Sequence, residues 1–211
     1  MHEEIKSNQT LDEIIDAAKA QDAVTIAPHP FSLVDALRDD SLKCDLFEVF
    51  NSSSVDIHSN KKAEIFAKEN NLLTTVGSDS HISSTIGRCT NMIDAQNNLD
   101  DVISAMKKGK ISIEKTEYIT RSEVLEHIRY KIENSKEYID QYVNEFYPKH
   151  SWLFNMMYKS YMFTKKSILW DVVFKIALFG LRRISYKINF EGYDPYVFRT
   201  RDIPAITKMI F

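Results

Sequence analysis

Glycine and proline are scarce in this 211-residue chain, with five of each. Because these residues interrupt helices and mark turns, their scarcity predicts that long helices occupy much of the chain. The only cysteines, Cys44 and Cys89, form no Cys-x-x-Cys pair, which favours two reduced thiols over a disulfide framework or a zinc site. No apolar run approaches the ~20 residues that a membrane span needs, and Met1–Thr10 is too polar for a secretory signal, so we expect a cytoplasmic location.

The composition is that of a globular protein, with 44% hydrophobic and 27% charged residues. The net charge of −3 identifies no partner, but the charges are unevenly distributed. Residues 1–120 contain 12 basic and 20 acidic residues, whereas residues 121–211 contain 15 and 10. This change predicts a boundary near Thr120, which divides the chain into a domain over residues 1–118 and a helical extension over residues 119–211.

Helical and extended patterns alternate through the first 115 residues. Thr10 and Glu13 have the spacing of a capping box, which predicts that a helix begins there. The short apolar runs predict strands over residues 23–27, 45–50, 72–76, 90–93 and 111–113, and the patterns between them predict helices over 34–38, 61–70 and 99–108. This alternation is typical of an α/β domain with a largely parallel sheet.

Polar side chains follow several of these strands at the point where each strand ends. They are His29, Asn51, Asp79 and His81, with Glu48 near the end of its strand. In parallel α/β folds the carboxyl ends of the strands meet at one edge, and functional sites gather there. We therefore expect these residues to converge although they are far apart in the sequence.

The chemistry of these residues suits a divalent cation. Asp79 and His81 place a carboxylate and an imidazole two residues apart, which fits Zn²⁺, Mn²⁺ or Fe²⁺. His29 lies between two prolines that hold its backbone, and Glu48 needs a partner if it is buried in its strand. The alternatives are a hydrogen-bonded surface turn for Asp79 and His81, a stiff loop for His29 and an exposed strand edge for Glu48.

Three segments, in this order, resemble consecutive motifs of the PHP (polymerase and histidinol phosphatase) superfamily. They are IAPHPF at 26–31, FEVFN at 47–51, and VGSDSH at 76–81 followed by IGR at 86–88. The resemblance covers roughly residues 10–115. It implies a distorted (β/α)7 barrel with two or three metal ions at the strand ends, and hydrolysis of phosphate esters. We therefore expect a partial barrel of mostly parallel strands, followed by an all-helical extension.

The resemblance also implies roles for individual residues. His29, Asp79 and His81 match metal ligands of the family, and Asp79, His81 and Glu48 are the candidate catalytic residues. The remaining candidates, Asn51 and Arg88, would contact the substrate, although Arg88 is equally a candidate for a solvated loop charge. The implied cofactors are zinc, manganese or iron ions, and the implied substrate is a phosphorylated small molecule or nucleotide.

The chain departs from the family pattern at its beginning. Family members start with a His-x-His strand, whereas nothing before His29 matches it and His2 is the only earlier histidine. The explanations are a fragment of a longer protein, a second chain that completes the barrel, or a lost site. We expect a phosphoric ester hydrolase at the family level, with an incomplete metal site in this chain alone. The alternative is a catalytically inactive PHP half-domain that acts as a binding or membrane-docking module.

The last 90 residues have a different character. A long amphipathic helix is expected from Val124 to Val143, ending before Pro148, and an irregular tail is expected over residues 189–211. Residues 151–190 are rich in aromatic residues and methionine, and contain seven basic residues and one acidic residue. The interpretations are peripheral contact with an anionic membrane, a nucleic-acid surface, or a helical subdomain that packs its own aromatic side chains. Basic residues flank the most apolar helix at positions 165, 166, 182 and 183.

Overall fold

The computed structural model describes residues 4–6, 9–34, 36–146, 148, 151–164, 167–197 and 203–210. The chain forms two compact units, one of Met1–Ile119 with Leu181–Phe211 and one of Thr120–Gly180. Residues 181–211, which the sequence-based division assigned to the extension, are therefore part of the first unit. None of the described helices combines the length and apolarity needed to cross a membrane.

Five strands and eight α-helices lie in the described parts of the chain. The strands are β1 (Ile26–Ala27), β2 (Leu46–Asn51), β3 (Thr74–Gly77), β4 (Cys89–Ile93) and β5 (Ile111–Thr116). The first helices are α1 (Leu11–Ala20), α2 (His58–Glu69) and α3 (Leu99–Lys107). The later helices are α4 (Arg121–Asn134), α5 (Lys136–Phe146), α6 (Ser151–Phe163), α7 (Ile168–Phe190) and α8 (Ile203–Ile210). Short 3₁₀ helices span Arg38–Lys43, Ser83–Thr85 and Pro195–Val197.

The strands form two separate sheets in a mixed α/β fold. β1, β2 and β3 form a parallel sheet in that order, whereas β4 and β5 form an antiparallel pair. The expectation of a largely parallel sheet is thus right for the first three strands and wrong for the last two. The alternation of strand and helix does not fix strand direction, and an antiparallel pairing satisfies the same backbone groups. The described strands do not confirm a closed barrel.

Helix α2 covers one face of the parallel sheet. Ala63 and Ala67 of this helix pack against Phe47 of β2 and Phe31 of the loop after β1, and all four are buried. The Phe66 ring stacks on Phe47 with the centroids 5.7 Å apart and meets the edge of Phe31 at 5.1 Å. The small residues on α2 let the helix approach closely, and the three rings fill the remaining space. This cluster joins α2 to β2 and to the loop after β1.

The predicted start of α1 is confirmed, but two other helix predictions are wrong. The Thr10 side chain accepts a hydrogen bond from the Glu13 backbone and the Glu13 carboxylate accepts one from the Thr10 backbone. Around residues 34–38 no α-helix forms among the described residues, because the Arg38 N–H donates to the Pro30 carbonyl and a 3₁₀ helix starts instead. The single long helix expected over 124–143 is divided at Ser135 into α4 and α5.

The expectation of an irregular tail is wrong for residues 203–210, which form α8. Met209 of this helix is buried against Ile184 and Ile188 of α7. Pro204, taken as a sign of irregular structure, lies in the first turn, where its missing N–H costs no intrahelical hydrogen bond. Apolar burial against α7 therefore stabilises a short helix that the sequence pattern alone did not indicate.

The second unit contains α4, α5, α6 and the first part of α7. Thr120 and Glu123 form a capping box at the start of α4. The Tyr161 and Trp170 rings meet edge to face with their centroids 5.3 Å apart. A cavity of about 310 Å³ lies among the helices and is lined mainly by apolar side chains such as Ile132.

Candidate metal and phosphate site

Strand β2 places an acidic side chain inside the protein. Glu48 is only 8% exposed, so the alternative of an exposed strand edge is wrong. The pairing with β3 shifts register between Glu48 and Phe50, which interrupts the alternation of side chains along the strand. Asn51 thereby reaches the same side as Glu48 and donates from Nδ2 to Glu48 Oε2 over 3.1 Å.

The Glu48 carboxylate connects the loops after β1 and β3. Its Oε2 accepts the backbone N–H of His29 over 2.6 Å. Gly77, at the end of β3, lies so close that a Cβ atom there would overlap Glu48 Oε1. Burial raises the pKa of Glu48, and the donors from His29 and Asn51 oppose this effect. The charge of His29 also lowers this pKa, whereas the charge of Asp79 raises it, so both act on the same carboxylate.

Two of the predicted metal ligands have an unusual backbone conformation. His29 has a φ of +30° and Asp79 a φ of +45°. Non-glycine residues rarely adopt positive φ, and such residues cluster at functional sites. His29 is half-buried, and its Nδ1 atom is buried without a hydrogen-bond partner among the described residues. A buried ring nitrogen of this kind suits a cation or a proton donor.

Asp79 and His81 form a pair on the loop after β3. Asp79 Oδ1 lies 3.3 Å from His81 Nε2, and both side chains are exposed to solvent. The Ser53 hydroxyl, on the loop after β2, donates to the Asp79 carbonyl over 3.0 Å. The pair is therefore accessible to solvent, and Ser53 holds the backbone of Asp79 in place.

Arg88 is already paired with an acidic residue. Its Nη1 atom lies 3.1 Å from Glu117 Oε2, and Lys115 lies 3.1 Å from the same oxygen. Lys115 and Arg88 lower the pKa of Glu117. A substrate phosphate at Arg88 would have to compete with this carboxylate, which favours the interpretation of Arg88 as a loop charge.

Five of the predicted site residues come together in two groups rather than in one cluster. Glu48 binds the His29 backbone and Asn51, while Asp79 contacts His81. Within the described ranges, no group of three or more His, Cys, Asp or Glu side chains is placed to hold a metal ion. The donor types fit a borderline divalent ion, but these residues provide too few donors at one point for a closed metal site.

A cavity larger than the one in the second unit is lined by other residues. It has a volume of about 730 Å³, and its lining includes Phe50, Asn60, Ile113 and Tyr118. None of the predicted metal ligands lines it. Residues of α2 and β5 line the cavity, and none of the candidate catalytic residues does.

Two asparagines that the sequence did not single out support the strand ends. Asn60 of α2 accepts the Asn51 N–H and donates to the Asn51 carbonyl, both over 3.0 Å. Asn91 of β4 forms the same pair of bonds with Val76 of β3, at 3.0 and 2.8 Å. Each side-chain amide replaces a neighbouring strand at a point where the ladder ends. Only Asn91 had a signal in the sequence, because it lies within a predicted strand, where asparagine is disfavoured.

Residues 58–111 match the model of a family described as PHP-associated (PHP_C). The matched range extends from the start of α2 to the first residue of β5, and includes Asp79, His81 and Arg88. It is consistent with the C-terminal region of a PHP-superfamily protein, so the family resemblance is confirmed for this part of the chain. No curated protein and no solved structure is significantly similar to the chain.

Proposed function

We propose that the chain is the C-terminal, metal-binding part of a PHP-type phosphoesterase, in which this sheet continues into a barrel. The observation that carries the proposal is the position of Glu48. This buried acid lies within β2, and its side chain binds the backbone of His29, just after β1, and is influenced by the charge of Asp79, just after β3. A buried acid beside donor side chains, at the carboxyl ends of parallel strands, is the arrangement of a catalytic site.

In the longer protein or complex, His29, Asp79 and His81 would hold metal ions through their ring nitrogens and carboxylate, together with the donors that are missing from the described part of this chain. When bound, a divalent cation lowers the pKa of a water molecule and neutralises charge on the phosphate oxygens. Asn51 fixes the Glu48 carboxylate, and burial makes that carboxylate a better proton acceptor. We assign to Glu48 the role of general base: its Oε1 or Oε2 atom would take a proton from the water molecule that attacks the phosphate ester.

The substrate class in this proposal is a phosphorylated small molecule or a nucleotide. Asn51 has its Oδ1 atom occupied by the Ser53 N–H at 2.9 Å, so it acts mainly on Glu48 and less on substrate. Because no three metal-binding side chains come together among the described residues, we expect little or no hydrolysis by this chain alone. The missing donors would come from another part of a longer protein or from a second chain.

The gene sequence upstream of the Met1 codon is the first test of this proposal. We expect an in-frame segment that encodes a strand with His-x-His. Phosphate release from p-nitrophenyl phosphate by the resulting longer protein should then require Mn²⁺ and should disappear in the Asp79→Asn variant. The Asp94→Asn variant, in which the changed carboxylate is 89% exposed, is the matched control and should retain activity.

A specific observation favours the alternative of an inactive half-domain. In the parts of the chain that the structure describes, no three donor side chains share one point. A stop codon directly upstream, together with no hydrolysis in the presence of Mn²⁺ and no binding partner that supplies ligands, would favour this alternative over the enzyme.

A further inference from the structure

Helix α7 exposes apolar side chains in the second unit. Its exposed residues include Ile168 (80% exposed), Leu169 (56%), Val172 (48%), Ile176 (66%) and Phe179 (64%). The opposite side of the helix is apolar as well, because Trp170, Phe174 and Ala177 line the 310 Å³ cavity. A helix that is apolar on two opposite sides is normally covered on both. The outer side of α7 therefore lacks a cover within the described chain.

The exposed residues form a continuous stripe. Leu169, Val172, Ile176 and Phe179 are separated by three or four residues, so they lie on one face of the helix. The stripe is roughly 15 Å long at 1.5 Å per residue. Helix α6 of the same unit also exposes large apolar side chains, among them Trp152, Met156 and Phe163. We call Leu169, Val172, Ile176 and Phe179 the α7 stripe.

Basic residues accompany the α7 stripe. Residues 151–190 contain seven basic residues and one acidic residue. Lys175 is exposed beside the stripe. Lys165 and Lys166 precede the helix in the sequence, outside the described residues. An apolar helix face with cations at its border is typical of helices that lie in the headgroup region of anionic membranes.

We propose that the α7 stripe binds the surface of an anionic lipid bilayer, with α7 parallel to the membrane plane. The apolar side chains enter the region between headgroups and acyl chains, and Lys175 contacts lipid phosphates. A nucleic acid would attract the same cations, but the stripe offers mainly aliphatic side chains, on which bases do not stack. A second copy of the chain would cover the stripe, but it would also bring the basic residues of two copies together.

Co-sedimentation of the full chain with lipid vesicles tests this proposal. One set of vesicles contains phosphatidylcholine with about 30% phosphatidylserine, and the other contains phosphatidylcholine alone. We expect binding to the anionic vesicles and at least about a tenfold loss of partitioning in Ile176→Ser/Phe179→Ser. Lys175→Glu should lower partitioning by about fivefold or more, since each basic residue near an anionic surface contributes roughly that factor.

The control variant is Met92→Ser/Leu99→Ser, which changes two exposed apolar residues of the first unit and should bind like the wild type. The proposal is overturned if the wild-type chain stays in the supernatant, or if the stripe variant binds as well as the control. It is also overturned if light scattering shows a wild-type dimer that the stripe variant dissociates, with no vesicle binding. These outcomes leave the proposed hydrolase function untouched, because no step in the test measures hydrolysis.

Discussion

At the scale of single residues, Glu48 has the most constrained surroundings of the candidate site. A buried carboxylate must be hydrogen-bonded, and this one receives the His29 N–H and the Asn51 amide. Gly77 provides the space that the carboxylate occupies. The small residue at the end of β3 is therefore needed for the buried acid of β2.

Replacement of Gly77 by alanine should displace the Glu48 carboxylate. The new methyl group would overlap Glu48 Oε1, and we expect a loss of about 1–3 kcal/mol in the free energy of unfolding. Urea unfolding measures this loss. In a Glu48→Ala background the overlap is removed, so the same change should cost less, and the double-mutant cycle gives the coupling.

Gly192→Ala is the control for this experiment. Its Cβ atom would meet nothing within 4 Å, so only the positive φ of 75° costs energy, about 1 kcal/mol. Equal costs of Gly77→Ala with and without the Glu48 side chain would show that the two residues do not share this space.

The surroundings of His58 predict how stability depends on pH. Burial lowers the pKa of His58, Lys61 and Arg182 lower it further, and Asp56 partly opposes them. Because the folded state binds this proton less tightly than the unfolded chain, stability is lost as the pH falls below the ordinary value of 6.5. We expect the melting temperature to fall less between about pH 7.5 and about pH 5.5 in His58→Gln than in the wild type.

Differential scanning calorimetry of the two proteins at both pH values is the measurement. The His58 ring also contacts the Tyr186 ring, with centroids 5.3 Å apart, so the variant is expected to be less stable at every pH. Only the change in melting temperature between the two pH values reports on the protonation of His58. An unchanged difference would mean that His58 titrates alike in both states.

The individual site residues were predictable to different degrees. Residues directly after strands could be selected, because parallel strands bring their ends together. Whether Glu48 was buried could not be decided, since a strand residue of this type fits an edge as well as an interior. The bulge that brings Asn51 to Glu48 left no signal in the local sequence.

At the scale of elements, a buried polar network attaches α7 to the loops of the site. The Ser185 hydroxyl donates to Asp56 Oδ1, which also accepts the backbone N–H groups of His58 and Ser59. Asn189, one turn later, donates to Ser185 Oγ. The network fixes the loop after β2, which contains Ser53, the residue that holds the Asp79 backbone.

Removal of the Ser185 hydroxyl should weaken this attachment. Ser185 and Asp56 are both buried, and Ser185→Ala leaves the carboxylate with one donor fewer. We expect the free energy of unfolding to fall by about 2 kcal/mol, since hydrogen bonds to buried charged groups contribute about this much. Ser104→Ala, a half-buried serine on α3, is the control. A loss in Ser185→Ala no larger than in this control would contradict the role of the network.

The elements themselves were predicted best where local chemistry defines them. The capping box at Thr10 specified the start of α1 without tertiary information. The antiparallel pairing of β4 with β5 depends on contacts between Cys89 and Thr116, 27 positions apart, which no local pattern encodes. Helix α8 depends on burial of Met209 against α7, and this too is a tertiary effect.

At the scale of the whole molecule, the number of available ligands limits what the chain does. The three predicted ligands, His29, Asp79 and His81, belong to the loops after β1 and β3. Three donors do not complete two coordination spheres. We therefore expect the chain to bind metal without the affinity of a complete cluster.

Calorimetric titration of the metal-free full chain with Mn²⁺ measures how many ions it binds and how tightly. We predict weak binding of a single ion, which is lost in Asp79→Asn/His81→Gln and retained in Asp94→Asn. Tight binding of two or more ions per chain would contradict the incomplete site, and unchanged binding in the double variant would contradict the assignment of the ligands.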